Sequence, residues 1–250
     1  MAEVTIGSIV EEYPEGTRYL DIAQNHQSEY ENDIVLVKTN GKLGELFKTV
    51  GGDCRLEFVT TRDKVGMDTY RRSAVHMMLK AIYDVLGAEV VQKVWVHFSI
   101  SNALYCEIHH MEASKEMVKK VGERMRQLVE EALPIEKKSM NTEKAVSRFR
   151  KHKMYDKERF FTYRRVSRVN IYRMGAFEDY YYGYMVPNTG YLRYFDLQPY
   201  ENGFVLILPI HENPRQLPPF VPQKKLYQTL RESMEWGERM EISTVGQLND

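Results

Sequence analysis

The dipeptide Asn40-Gly41 narrows what this chain can build more than any other feature, because both residues accept positive φ and so close a tight β-hairpin. It lies between a mostly β-branched apolar run, Ile34-Val35-Leu36-Val37, and a second run from Leu43 to Phe47. A buried strand, a two-residue turn and a returning strand commit this stretch to a sheet. Before it, Val4, Ile6, Ile9 and Val10 begin an extended stretch that Pro14-Glu15-Gly16-Thr17 closes with turn chemistry. Leu20, Ile22 and Ala23 then give a short helix its apolar face, with the Thr17 hydroxyl as its expected cap. Gly51-Gly52-Asp53 turns the chain again, and Leu56 to Val59 alternates as the last strand of the unit.

The order β, β, α, β, β, β is that of a β-grasp, ubiquitin-like unit. A second unit begins near Asp63. Tyr70 to Leu86 has Ala74, Met77, Met78, Ala81, Ile82 and Val85 at helical spacing, with Gly87 ending the helix. Val91 to Ile100 and Leu104 to Ile108 read as antiparallel strands. Ser114 starts a helix that Pro134 stops, and Asn141 or Thr142 caps a basic helix reaching about His152. Strands are expected over Val169 to Met174, Tyr180 to Met185, Tyr191 to Leu197 and Phe204 to Leu208, and a last helix over Leu226 to Met240. The fold class is therefore α+β. We divide the chain into a β-grasp domain over 1–61, an α+β domain with antiparallel sheet over 62–222, and a C-terminal helix and connector over 223–250.

Composition excludes several classes. Lys plus Arg and Asp plus Glu both count 35, so no global charge argues for nucleic acid or membrane. Two distant cysteines, Cys54 and Cys106, build neither a disulfide framework nor a cysteine-rich zinc module. The N-terminal MAEVTIGSIVEEYPEG lacks the basic and apolar regions of a signal peptide, and no apolar run is long enough to span a bilayer. A cytoplasmic protein without membrane contact is expected.

Three stretches together carry a family resemblance. YPEGTRYLDIA with IVLVKTNGKLGELF resembles the TGS domain shared by threonyl-tRNA synthetases, certain GTPases and stringent-response enzymes. RRSAVHMMLKAIYDVLG followed by HFSISNALYCEI resembles the opening helix and hairpin of the second additional domain, the editing domain, of threonyl- and alanyl-tRNA synthetases. YYYGYMVPNTGYLRYF stands where that domain has its second metal-binding segment. With VTTRDKVGMDTYRRS between the units and PYENGFVLILP later, the whole is similar to the front of bacterial nucleoside (uridine) kinase-like proteins.

Two departures shape the functional reading. The family's P-loop, G-x-x-x-x-G-K-[ST], is missing; it needs closely spaced glycines and a lysine to face phosphates, and Gly41-Lys42 is a hairpin turn. The resemblance therefore implies a kinase domain elsewhere in the same polypeptide, with ATP and Mg belonging to it and no cofactor in this chain. The editing family also implies H-x-x-x-H on the first helix and C-x-x-x-H in the later segment, whose spacing converges on one ion. Here those positions hold Arg72 and His76, then Tyr181 and Met185. We expect no metal site and no catalytic residue, but a cleft in which Arg72 is the positive element. His76 reads first as a buried hydrogen-bonded histidine, and Cys106 as a small buried hydrophobe. His109 and His110, as strand neighbours, are expected on opposite faces.

The strongest local signal is charge. Residues 143–173 carry eleven Lys or Arg against three acids, a net charge of +8, including Arg148, Arg150, Lys151, Lys153, Arg164, Arg165 and Arg168. Phe160, Phe161 and Tyr163 are interleaved, a pattern suited to phosphate contacts with base stacking; a solvated face balanced by acids elsewhere is the plain alternative. The leading expectation is a non-catalytic regulatory or ligand-sensing module of a nucleoside kinase-like protein, binding a nucleotide or RNA. Alternatives are a freestanding hydrolase of mischarged tRNA and an RNA- or ribosome-binding module.

Overall fold

The computed structural model of the protein describes residues 1–151, 160–161 and 166–240. The N-terminal sheet is built from β1 (Ala2–Ile6), β2 (Ile9–Tyr13), β3 (Ile34–Thr39), β4 (Lys42–Glu45) and β5 (Cys54–Thr60), in the order β2-β1-β5-β3-β4. β1 runs parallel to β5, with Val4 beside Cys54, and every other pairing is antiparallel. Helix α1 (Tyr19–His26) crosses this sheet and packs Tyr19, Ile22 and Ala23 against Val4, Ile34, Val37 and Leu56. This is the β-grasp arrangement. Asn40 and Gly41 take φ of 49° and 77°, as the hairpin requires. Thr17 does not cap α1. Arg18 holds the cap position, and the Thr17 hydroxyl instead donates to the Pro14 carbonyl at 2.7 Å, closing the preceding turn.

Helix α2 (Lys64–Leu86) is the axis of the rest, and Gly87, at φ 92°, ends it. It starts six residues before the expected Tyr70. Gly66 weakens the helical signal of that first turn, yet the fold needs it: a Cβ there would lie 1.9 Å from the Thr60 carbonyl oxygen. After Gly87 a short helix α3 (Ala88–Val91) takes the place of the expected strand start, so β6 (Val94–Ile100) pairs with β7 (Ala103–Ile108) only from Val94. Helix α4 (Lys115–Glu131) packs Met117, Val121, Met125 and Leu128 into the shared core with α2, and its cap Ser114 accepts from the Met117 amide at 3.2 Å.

Two antiparallel sheets complete the fold. One has the order β11-β12-β7-β6, with β11 (Asp196–Tyr200) and β12 (Gly203–Ile207). The other has the order β10-β9-β8, from β8 (Glu136–Asn141), β9 (Arg168–Met174) and β10 (Phe177–Tyr180). β8 has no counterpart among the expected strands because EKKSMN is an edge strand with little apolar alternation. Tyr180 to Met185 is not a strand. The chain leaves the sheet after Tyr180, and Gly183 at φ 116° takes it out of extended geometry. Tyr191 to Leu197 also departs from expectation: the Asn188 side chain accepts from the Gly190 amide at 2.9 Å and nucleates a 3-10 turn over Thr189–Tyr191. Helix α5 (Thr142–Lys151) follows β8, and α6 (Lys224–Arg239) lies near β6. No helix among the described residues is long and apolar enough to cross a membrane.

The contact between Gly66 and Thr60 yields a stability test. Gly66→Ala should destabilise the protein by about 2–3 kcal/mol, because backbone rather than a flexible side chain must move. Urea unfolding checks it; a change below ~0.5 kcal/mol would show that the β5–α2 junction yields freely.

Candidate functional site

The four positions singled out in the sequence meet at one place. Arg72 and His76, one turn apart on α2, face the segment that follows β10. His76 is fully buried, its ring 5.3 Å from Phe177 and edge-on to Tyr181 at 5.0 Å. The Arg72 guanidinium donates to the Tyr184 carbonyl at 2.8 Å and lies flat against Gly183, where a Cβ would come within 2.7 Å of it. Met185 is buried, with Sδ 3.3 Å from the Ser73 hydroxyl, and that hydroxyl also accepts from the Val186 amide at 3.0 Å. Burial pushes the Tyr181 phenol well above its ordinary range, Asp179 adds to the rise, and Arg72 opposes it. The phenol therefore stays neutral and offers no anionic ligand.

These groups do not fit the metal that the resemblance to editing domains implies. Tetrahedral zinc takes thiolate, imidazole and carboxylate donors. The place holds one imidazole, a phenol, a thioether and a permanent cation, and among the described residues no three His, Cys, Asp or Glu converge on one point. What the arrangement offers is hydrogen-bond donation from a half-buried guanidinium, five donors of which one serves Tyr184.

Beside this cluster sits a residue that the sequence did not point to. Glu45, at the end of β4, is buried and belongs by its contacts to the second half of the molecule. One carboxylate oxygen accepts from the Tyr172 hydroxyl at 2.6 Å and the Met185 amide at 3.2 Å, and the other from Lys137 at 2.7 Å. The Tyr172 phenol also lies 2.6 Å from the Gly183 carbonyl, so one proton serves two acceptors. Burial and then the Glu45 charge hold that phenol far above its usual pKa. Lys137 in turn lies over the rings of Tyr172 and Tyr184. No spacing in the sequence marks Glu45; an acidic residue in a strand that returns from a hairpin reads as solvent-facing.

Several described residues of the basic segment are less open than its charge suggests. Arg148 makes a bidentate pair with Glu178 at 2.6 and 2.7 Å, an acid that lies outside the basic stretch. Arg168 donates to the Ser139 hydroxyl and carbonyl, and Arg173 to Glu136. Phe161 is buried, stacked on Phe149 at 5.7 Å, so it is core and not a platform for bases, whereas Phe160 is exposed. Arg150 and Lys151 lie on α5. Lys153, Tyr163, Arg164 and Arg165 fall outside the described residues. His109 and His110 do not sit on opposite faces: β7 ends at Ile108, His110 takes φ 60°, and the two rings meet at 3.8 Å. Cys106 is buried, and burial raises its thiol pKa, as suits an inert core cysteine.

Comparison with known proteins gives this geometry its setting. The chain is 30% identical over 199 residues to the threonine–tRNA ligase of Syntrophotalea carbinolica, covering 78% of this chain and 30% of that enzyme. It is 31% identical over 160 residues to that of Thermotoga maritima (63% and 24%), and 28% identical over 190 residues to that of Carboxydothermus hydrogenoformans (75% and 30%). No protein-family model matches the chain. The chain thus contains a threonyl-tRNA synthetase-like region, and it spans less than a third of the length of these curated relatives.

Glu45→Ala should cost about 2–4 kcal/mol, since it strands a largely buried ammonium and an amide. Glu45→Gln should cost less, its amide oxygen still accepting from Met185. Denaturant unfolding of the two variants decides, and equal or negligible losses would remove Glu45 from its place in the fold.

Proposed function

We propose that this chain is a non-catalytic binding module, derived from the front of a threonine–tRNA ligase and retained to sense a ligand. The observation that carries this reading is the Arg72 guanidinium, which stands where the editing family places its first metal ligand and is fixed by the Tyr184 carbonyl at 2.8 Å. A fixed cation repels a metal ion and attracts a carboxylate or phosphate. His76, buried against Phe177 and Tyr181, is walled off from a substrate by aromatic packing. In this reading a deacylase reaction has no activated water, and an anion binds at the outer edge of the Arg72 guanidinium.

The wider setting follows from the order of motifs in the sequence. TGS-like, editing-like and connecting segments succeed each other as in nucleoside (uridine) kinase-like proteins, so the partner in this proposal is a P-loop kinase domain of the same polypeptide, working in the cytoplasm with ATP and Mg. The module would report a nucleotide, an aminoacyl group or RNA to that domain.

Thermal-shift screening of nucleotides, aminoacyl analogues and short RNAs, with metal analysis and a mischarged-tRNA deacylation assay, tests this proposal. The expected result is one binder class whose shift Arg72→Ala reduces at least tenfold in apparent affinity, the scale of one charge-assisted hydrogen bond, about 1.4 kcal/mol. Stoichiometric zinc together with turnover would overturn it in favour of a working hydrolase.

A further inference from the structure

A second surface has the character of a ligand site and lies apart from the Arg72 cluster. Along α4 the residues Lys115, Val118, Lys119, Gly122 and Arg126 form a single stripe, at positions i, i+3, i+4, i+7 and i+11. The stripe and the outer strand β11, through Leu197 and Pro199, enclose an open groove of about 320 Å³. Lys115, Lys119 and Arg126 are exposed on its rim, while Val118 and Gly122 form its floor. The acids of α4 lie mostly elsewhere: Glu116 pairs with Lys120 at 2.7 Å, and only Glu123 reaches the stripe, 3.8 Å from Lys119 in a solvent-exposed pair. Such a pair is weak and exchanges readily for another anion. Lys115 and Arg126 have no ion-pair partner among the described residues.

Gly122 sharpens the case. Glycine in a helix interior is costly relative to alanine. Packing does not demand it here, because a Cβ would meet only Arg126 and Leu197 at ordinary contact distances of 3.9 and 4.0 Å. Its effect is to deepen the groove under the cations.

We propose that the groove between α4 and β11 binds the phosphate backbone of an RNA strand, with ribose or base edges resting on Leu197 and Pro199. The three cations span about 16 Å along the helix axis, which favours a polymer over a single nucleotide. Exposed cations gain little from one phosphate each, but three contacts to one strand add the release of condensed counterions. The uncharged floor fits the sugar and base of a nucleic acid and gives an acidic polypeptide nothing comparable. The proposal does not depend on the anion site at Arg72, and either can fail alone.

The test is fluorescence anisotropy with a labelled single-stranded RNA of about twelve nucleotides, titrated from about 50 to about 200 mM salt. The triple variant Lys115→Gln, Lys119→Gln, Arg126→Gln should bind at least tenfold more weakly at the low end. It should also lower the log–log salt slope by about 2, three contacts at ~0.7 each, with an unchanged circular dichroism spectrum. Lys120→Gln, on the other face of α4, should bind as the parent does. Gly122→Ala should raise Tm while weakening RNA binding, which separates the groove from any folding defect. An unchanged slope in the triple variant, no RNA binding by the parent, displacement by UTP at matching concentration, or equal affinity for polyglutamate each overturns the proposal.

Discussion

A single buried carboxylate organises this molecule. Removing a carboxylate from water costs several kcal/mol unless every lone pair is answered, and among the described residues Glu45 is answered by groups outside its own sheet: Lys137 on β8, Tyr172 on β9 and the Met185 amide. The β-grasp unit therefore packs against the second unit at a fixed point. Tyr184, whose hydroxyl donates to the Leu43 carbonyl at 3.3 Å, and Arg193, paired with Asp33 at 2.6 Å, extend the contact on either side.

The same point governs the cluster around Arg72 and His76. Met185 is tied to Glu45 through its amide and to α2 through Ser73, so the later segment is drawn onto the helix that carries Arg72 and His76. With Tyr181 against His76 and Gly183 against Arg72, the space where ligands to a metal would converge is filled by side chains in mutual contact. On the reading proposed above, an anion meets this cluster at the edge of the Arg72 guanidinium.

The sequence foretold some of this and could not foretell the rest, for physical reasons. The β-grasp order was legible because Asn40-Gly41 and the apolar runs beside it are local signals, as were α2 and the Ser114 cap of α4. The convergence of positions 72, 76, 181 and 185 was legible through family resemblance. β8 was not, since an edge strand needs no apolar alternation, and the turn of Tyr181 to Met185 was not, since side chains drawn to α2 overrode its strand-like composition. Glu45 was invisible because Lys137 lies 92 positions away, and Arg148 looked free because Glu178 lies 30 positions on.

Amide hydrogen exchange at Met185 and Val186 tests this account most directly. Both amides donate to side-chain oxygens, of Glu45 and Ser73, outside any sheet ladder. A packed junction built on Glu45 predicts that they exchange only through global unfolding, as slowly as the amides of β3 and β9. Exchange within seconds to minutes, while those strands stay protected, would mean that the segment opens on its own and that the cluster around Arg72 is a mobile cleft.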